Sequence, residues 1–442
     1  MGLTTQPAAR LRPDAKAASL TLKILARLFG DGPRHFTVRL WDGTETTASV
    51  PPQFTLVLNH PAALRRMFVP PTELAISEAF LRGDFDVEGN LETAFGLAET
   101  VLERVIGARD RLDLARMLTA LPRPEEPAGK LSRKAALRGQ RHSLTRDRDA
   151  IAHHYDVGNA YFALWLDRRL VYSCAYFARE DQSLDAAQEA KLDLICRKLC
   201  LRPGERLLDI GCGWGALVMH AAQHYGASAV GVTLSRPQAE YASRAIADAG
   251  LADHGRVLLI DYRELRGEVF DKIASVGMFE HVGRERLNEY FSTVRTLLRP
   301  GGLFLNHGIA TKWTPPARPV RWRRDGSFTQ RYVFPDGEPV TISDALAEAE
   351  RAGFEVRDVE SLREHYMMTL RHWVRRLEAR RNEAVRIAGE EVYRVWRLFM
   401  SGSAYGFATG RLSVFQTLLA RLDGTGRVDL PLTRAHLVSS GA

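Results

Sequence analysis

The stretch "LLDIGCGWG", residues 207–215, constrains this chain more than any other: an apolar run ends on three alternate glycines, and helical spacing begins directly after them. Glycines at such a junction let the backbone turn sharply and approach a ligand closely, since any side chain would stand in the way. Gly211, Gly213 and Gly215 give G-x-G-x-G, not the G-x-G-x-x-G that seats a pyrophosphate on a helix N-terminus. With Asp209 just before it, the loop favours an adenosyl ligand without phosphates. A tight strand-to-helix turn is the plainer alternative.

Strands and helices alternate around this loop. "RLLDIG", "SAVGVTL", "RVLLID", "FDKIASVGMF" and "LFLNHGIA" read as strands, with helices through "ALVMHAAQHYG", 236–249 and 284–299. This is the pattern of an α/β fold with a doubly wound, Rossmann-like parallel sheet. An insertion, "KWTPPARPVRWRRDGSFTQRYVFPDG", comes next, and "FEVRDVESL" precedes a long basic helical region at 363–400.

The first 120 or so residues differ. "ASLTLKILARLF" (18–29) has helical spacing, and "HFTVRLWDGTETTASV" alternates around the turn signal "DG", as a β-hairpin does. A chain of 442 residues exceeds the roughly 250–300 at which one core stops growing. We expect a smaller α+β domain over 1–121, a basic, Pro-containing linker over 122–149 and the ligand-binding domain over 150–442.

Residues 127–149 hold seven basic side chains (Lys130, Arg133, Lys134, Arg138, Arg141, Arg146, Arg148) against Asp147 and Asp149. Such a run invites an anionic surface, either phospholipid headgroups or nucleic acid, or is a solvated linker. Cys174, Cys196, Cys200 and Cys212 are too few for a disulfide framework and lack zinc-ligand spacing, which points to a reducing cytoplasm. No apolar run approaches the roughly 18 residues of a membrane span, and Gln6 stands where a myristoylation signal requires Ser or Thr. Any membrane contact is expected to be peripheral.

Three further strand ends carry candidate residues. "VTLSRPQ" offers Thr233 and Gln238 where a ribose-binding carboxylate is usual, although Ser235 and Gln238 also fit a capping box. Asp261 in "LIDYREL" suits an adenine amino group, or is a cap. "VGMFEHVG" (276–283) sets Glu280 and His281 at the exit of the fourth strand.

"HYDVGNAYFALWLDRRLVYSCAYF", "LLDIGCGWG", "GVTLSRPQ", "DYREL" and "SVGMFEHVG" occur in this order, and together they resemble the cyclopropane-fatty-acyl-phospholipid synthase family. The similarity is dense from about 150 to 420 and looser over 1–120, where phospholipid-acting members carry a small lipid-binding domain. The resemblance implies S-adenosylmethionine as cofactor, with Tyr172 and Ser173 contacting its methionine part. Asp209, the glycine loop, Thr233, Gln238 and Asp261 would hold its adenosine; Ile260 stands where relatives often carry Gln. It further implies bound bicarbonate as proton acceptor, held by Glu280, His307 and Tyr366 and by main-chain groups of Cys174 and Ile309.

Plainer readings stand beside these: His281 as scaffolding, Tyr366 as core, Cys174 as a small buried hydrophobe. No third metal ligand sits at usual spacing from Glu280 and the histidines, so no metal is expected. Tyr155, Phe177 and Trp373 could face a passing cation. Ser403 occupies a place where many relatives have a cysteine, so a thiol nucleophile is not required.

The implied activity is methylene transfer to the cis double bond of an unsaturated phospholipid acyl chain, giving a cyclopropane; a methylene- or methyl-branched product is the alternative. Implied partners are that phospholipid and the anionic membrane surface, at the inner face of a cytoplasmic membrane, with a homodimer as a further option. A nucleic-acid methyltransferase would need a motif such as N-P-P-Y where "MFEHVG" stands, so no nucleic-acid partner is expected. A lipid carrier without catalysis is the remaining rival.

Overall fold

The computed structural model describes residues 13–30, 34–103, 108–125, 131–135, 137–312 and 327–437. Residues 1–12 with Gln6, Lys130, and most of the insertion, including "RPVRWRRDG" (318–326), lie outside them. The chain divides into two units, Met1–Lys134 with Pro319–Phe328, and Ala135–Arg318 with Thr329–Ala442. The division falls inside the segment expected as a linker. Residues 137–149 fold as part of the larger unit.

The smaller unit has a three-stranded sheet of β1 (Phe36–Arg39), β2 (Phe54–Leu58) and β3 (Phe85–Gly89), with β1 parallel and β3 antiparallel to β2. Alternate residues Phe36, Val38, Phe54, Leu56, Leu58, Phe85 and Val87 point inward, as a period-two strand dictates. The Phe36 and Phe54 rings stack at 5.2 Å. The hairpin expected around "DG" is reduced to a tight turn closed by one bridge, Arg39 to Glu45. Pro51 and Pro52 have no N–H for a ladder, so the chain returns as β2, parallel to β1.

The larger unit is built on seven strands: β4 (Arg206–Ile210), β5 (Ser228–Thr233), β6 (Gly255–Leu259), β7 (Phe270–Val276), β8 (Leu298–Thr311), β9 (Glu355–Ser361) and β10 (Leu412–Ala420). Their order is β6-β5-β4-β7-β8-β10-β9. The first five run parallel, and β10 is antiparallel to both neighbours.

Both faces of the sheet are covered, which is why its strands read as nearly continuous apolar runs. Leu208, Ile210, Ile273 and Phe304 pack against Tyr290, Phe291 and Val294 of the helix Leu287–Leu297. Leu207, Ala229, Ala274 and Leu305 face Leu192, Ile195 and Val218 on the other side. Strand β10 was not legible in the sequence. It enters between β8 and β9 and sets Gln416 opposite His307. The basic helical region is two helices, Arg363–Ala379 and Arg381–Ala408, the second broken at Gly389.

Candidate active site

Directly after β4 the chain turns through Gly211, Gly213 and Gly215 at φ of 78°, 54° and 84°, and a helix begins at Ala216. A Cβ on Gly211 would come within 2.9 Å of Met278 Cβ. A cavity lies at this turn, across the carboxyl ends of β4 to β7, and it is lined by Gly211, Gly213, Thr233, Gln238, Asp261 and Met278, among others. This is the crevice in which open α/β sheets bind ligands. Asp209 lies buried beneath the loop instead of lining the cavity, and burial lifts its carboxyl to about 7 despite nearby Lys191.

Thr233 Oγ1 donates to Gln238 Oε1 at 2.9 Å, and the Ser235 N–H donates to Thr233 Oγ1 at 3.2 Å. The Ser235 side chain makes no cap bond, so the capping-box alternative is not realised. Gln238 Nε2 is buried and, beyond a loose approach to the Tyr155 hydroxyl, has no partner. An orphaned donor costs free energy unless a ligand meets it. Gln238→Leu should therefore weaken adenosyl-ligand binding about tenfold in calorimetry, and because it also takes the acceptor from Thr233 Oγ1 the melting temperature should not rise.

Asp261 is a cap, as the plainer reading has it. Its carboxylate accepts from the Arg263 N–H, Nε and Nη2 at 2.9, 2.9 and 2.7 Å, and it also lines the cavity. Arg263 Nη2 reaches on to Asp147 at 2.7 Å. Asp147 belongs to the helix Leu144–Tyr155, which adds Ile151 and Tyr155 to the lining.

That helix is latched down along its length. Arg146 pairs with Asp336 at 2.5 Å and Arg148 with Glu264 at 2.7 Å. Just before the helix, His142 Nδ1 meets the His281 carbonyl at 3.1 Å. The basic run is thus largely consumed within the chain: Lys134 pairs with Glu78, Arg141 and Arg146 with Asp336, and Arg148 with Glu264. His281 does more than hold a turn, since it also lines the cavity; burial and His142 lower it to about 4.

Past β7, Glu280 sits in a single 3-10 turn, Phe279–His281. Its Oε1 accepts from the Ile309 N–H at 2.6 Å, while Oε2 is buried without a partner. Burial pushes the carboxyl up to about 7, against the pull of the Ile309 bond. The Ile309 N–H, expected to be open for an anion, is committed to Glu280 because β7 has ended and nothing else satisfies that donor.

His307 lies two residues earlier on β8, hence on the same face as Ile309. Its Nδ1 meets Gln416 Nε2 at 3.2 Å, and its Nε2 is buried without a partner. Burial, then the Lys191 and Lys198 charges, hold it well below the usual imidazole range. It is a neutral imidazole.

The loop "YSCAYF" brings the remaining residues to this place. The Ala175 N–H donates to Thr369 Oγ1 at 3.0 Å, and the Phe177 N–H to His365 Nδ1 at 3.0 Å. These bonds tie the loop to the helix that carries Tyr366. Burial raises the Tyr366 hydroxyl well above its ordinary range, and Glu280, Cys174 and Tyr155 raise it further. Four of the five residues expected around the proton acceptor, Glu280, Ile309, Cys174 and Tyr366, are therefore neighbours, and His307 joins them through β8.

Around Tyr172 the rings of Tyr155, Phe162, Trp165, Trp373 and Trp396 gather with centroids 5.2–6.3 Å from its own. Ser173 Oγ accepts from Lys191 Nζ at 2.9 Å. Lys191 and its neighbour Gln188 were missed in the sequence. The available signal was two polar residues on the apolar face of "LDAAQEAKLDLICRK".

A glycine-loop cavity suited to an adenosyl ligand, on a sheet of this order, defines the S-adenosylmethionine-dependent methyltransferases. The chain belongs to the mycolic acid cyclopropane synthetase family, whose model matches residues 142–417. Residues 22–102 match a domain of unknown function, DUF7884.

A probable fatty acid methyltransferase of Pseudomonas putida is 39% identical over 90% of this chain and 95% of its own. The cyclopropane mycolic acid synthase MmaA2 of Mycobacterium tuberculosis is 37% identical over 63% of this chain and 99% of its own. Its solved structure matches with a TM-score of 0.59 at 36% identity, over 63% of this chain and 98% of that one. The structure of CmaA1 with S-adenosylhomocysteine and CTAB gives 0.58 at 36% identity, over 62% and 98%.

Proposed function

We propose that this methyltransferase acts on the cis double bond of an unsaturated phospholipid acyl chain and leaves a cyclopropane ring. The observation that carries the reading is two orphaned buried atoms, Glu280 Oε2 and His307 Nε2, the first on a carboxyl whose charge also acts on Tyr366. Buried polar groups are normally bonded, and one small polar molecule meeting both would satisfy them.

The cavity suits the cofactor: the glycines leave room for it and Gln238 Nε2 lacks a close partner. Thr233, Gln238 and Asp261 would hold its adenosine, and Tyr172 and Ser173 its methionine end. When bound, S-adenosylmethionine supplies an electrophilic methyl group. An alkene is a weak nucleophile, so alignment and exclusion of water supply much of the rate. The aromatic rings around Tyr172 keep water out and offer π faces to the cation that results.

Ring closure requires loss of a proton from that cation. Glu280, His307 and Tyr366 would hold bicarbonate there as acceptor, a base that can leave and be renewed. The neutral imidazole of His307 and the half-satisfied carboxyl of Glu280 suit an exchangeable guest better than a permanent base would.

Among the described residues no helix is long and apolar enough to cross a membrane. We infer that the smaller unit docks at the cytoplasmic face of the membrane and that the acyl chain is drawn into the larger unit. A second reading, in which the cation undergoes a hydride shift and then loses a proton to give a methylene-branched chain, which a separate hydride donor would have to reduce to a methyl branch, is favoured by the relative named as a probable fatty acid methyltransferase.

Vesicles of unsaturated phospholipid, incubated with the protein, S-adenosylmethionine and bicarbonate, should gain one CH2 per modified chain. Ozonolysis separates the readings, because a ring survives it and a methylene branch is cleaved. No mass gain in any acyl chain would remove both.

A further inference from the structure

Two polar side chains on the inward face of the helix Leu184–Lys198 have no part in the chemistry above. Gln188 and Lys191 stand one turn apart among Leu184, Ala187, Leu192 and Ile195, and they are only 0% and 2% exposed. Burial strips water from the ammonium and lowers Lys191 to about 8, although Asp167, Cys174 and Asp209 oppose the shift. A cation is seldom kept in such a place without a partner to hold.

What the pair holds is Ser173. Lys191 Nζ donates to Ser173 Oγ at 2.9 Å, and Gln188 Nε2 donates to the Ser173 and Val171 carbonyls at 2.8 and 3.3 Å. One helix thus grips this residue by both hydroxyl and carbonyl. Ser173 in turn stands against the cavity: a Cβ on the lining residue Gly277 would lie 3.6 Å from Ser173 Cβ.

The order of strand ends gives the cavity a direction. Ile260 and Asp261 follow β6, Thr233 and Gln238 stand at β5, the glycine loop follows β4 and Gly277 follows β7. An adenosyl ligand with its base toward Asp261 extends its other end past the glycine loop, toward Gly277 and Ser173. An ammonium has donors and no acceptor, so Ser173 Oγ must accept from Lys191. The hydrogen of that hydroxyl is then turned away from the lysine.

We propose that Lys191 is a positioning residue for the amino-acid end of S-adenosylmethionine, fixing Ser173 as a hydrogen-bond donor toward the cofactor carboxylate. This rests on the cofactor occupying the glycine-loop cavity and is independent of which lipid product forms. Lys191 gives no proton to the reaction. It sets the direction of one hydroxyl hydrogen, and its charge adds attraction for the carboxylate.

Calorimetry with two probes tests it: S-adenosylhomocysteine carries the amino-acid end, and 5′-methylthioadenosine lacks it. In Lys191→Met, affinity for the first should fall at least tenfold and for the second stay within twofold, with KM for S-adenosylmethionine rising more than kcat falls. Equal losses for both probes, or no loss for either, overturn the proposal. Ser173→Ala is a gentler change and should show the same selective loss, so it decides the matter even where Lys191→Met does not fold. Unchanged affinity of Ser173→Ala for S-adenosylhomocysteine overturns the proposal as well. Wild-type protein that binds neither probe would overturn the cofactor site itself.

Discussion

Glu280→Gln should abolish lipid modification, by at least a hundredfold in turnover, and at the same time raise thermal stability at pH 8. The amide keeps the shape of the carboxyl, and its oxygen still accepts from the Ile309 N–H. What changes is the charge. Folding raises this carboxyl from 4.5 to about 7, so the folded chain binds the Glu280 proton more tightly than the unfolded chain does.

As pH rises through that window, the unfolded chain ionises while the folded chain keeps its proton, so stability falls. The penalty is absent below about 4.5, complete above about 7, and on the order of 3–4 kcal/mol from about 1.4 kcal/mol per pKa unit. Melting curves of wild type and Glu280→Gln should diverge between pH 5 and 8 and coincide near pH 4. A variant that loses activity without this pH-dependent gain would show that folding does not raise the Glu280 carboxyl above its ordinary value. Retained turnover would remove it from the reaction. A buried, half-paired carboxyl is a cost that activity preserves.

Gly283→Ala should cripple cofactor binding from outside the cavity. Gly283 has φ of 79°, and an added Cβ would fall 2.4 Å from His142 Nε2 and within 2.8 Å of other atoms of the ring. His142 is 8% exposed, so the ring cannot simply swing aside, and the backbone conformation is itself unfavourable for alanine. Expulsion of His142 breaks its bond to the His281 carbonyl and lifts the start of the helix that supplies Asp147, Ile151 and Tyr155 to the cavity.

We expect at least a tenfold weaker S-adenosylhomocysteine affinity and a melting temperature several degrees lower. His142→Ala placed in the same chain restores the room and should recover most of the affinity. If the double variant binds no better than Gly283→Ala, the damage comes from backbone strain at Gly283 and not from the displaced ring.

These two residues also show what the sequence disclosed and what it hid. The glycine loop, the strands around it and the acid at the exit of β7 were legible because each is a local pattern: period-two or continuous apolar runs broken by glycine and an acid. The helix Leu144–Tyr155 was hidden in a basic, proline-flanked run that looks like a solvated linker. Its cations meet Asp336 and Glu264, 190 and 116 residues away, and no local pattern announces partners at such distances. Lys191 was hidden for the opposite reason, as one charge within a helical face that otherwise reads as core. The proposed hairpin around Asp42-Gly43 failed because the turn signal was right and the strand after it was not.

The position of β10 bears on how the protein is made. The strands that frame the glycine loop, β4 to β7, are complete by residue 276, so a nascent chain has the cofactor half of its sheet early. The partner that holds His307 arrives much later, with Gln416 on a strand that must slot between β8 and β9. During synthesis at roughly 5–20 residues per second, that gap keeps the edge of β8 unpaired for some seconds. The partner of the imidazole thus emerges last, and a chain halted before β10 has the glycine loop without the strand that orients His307.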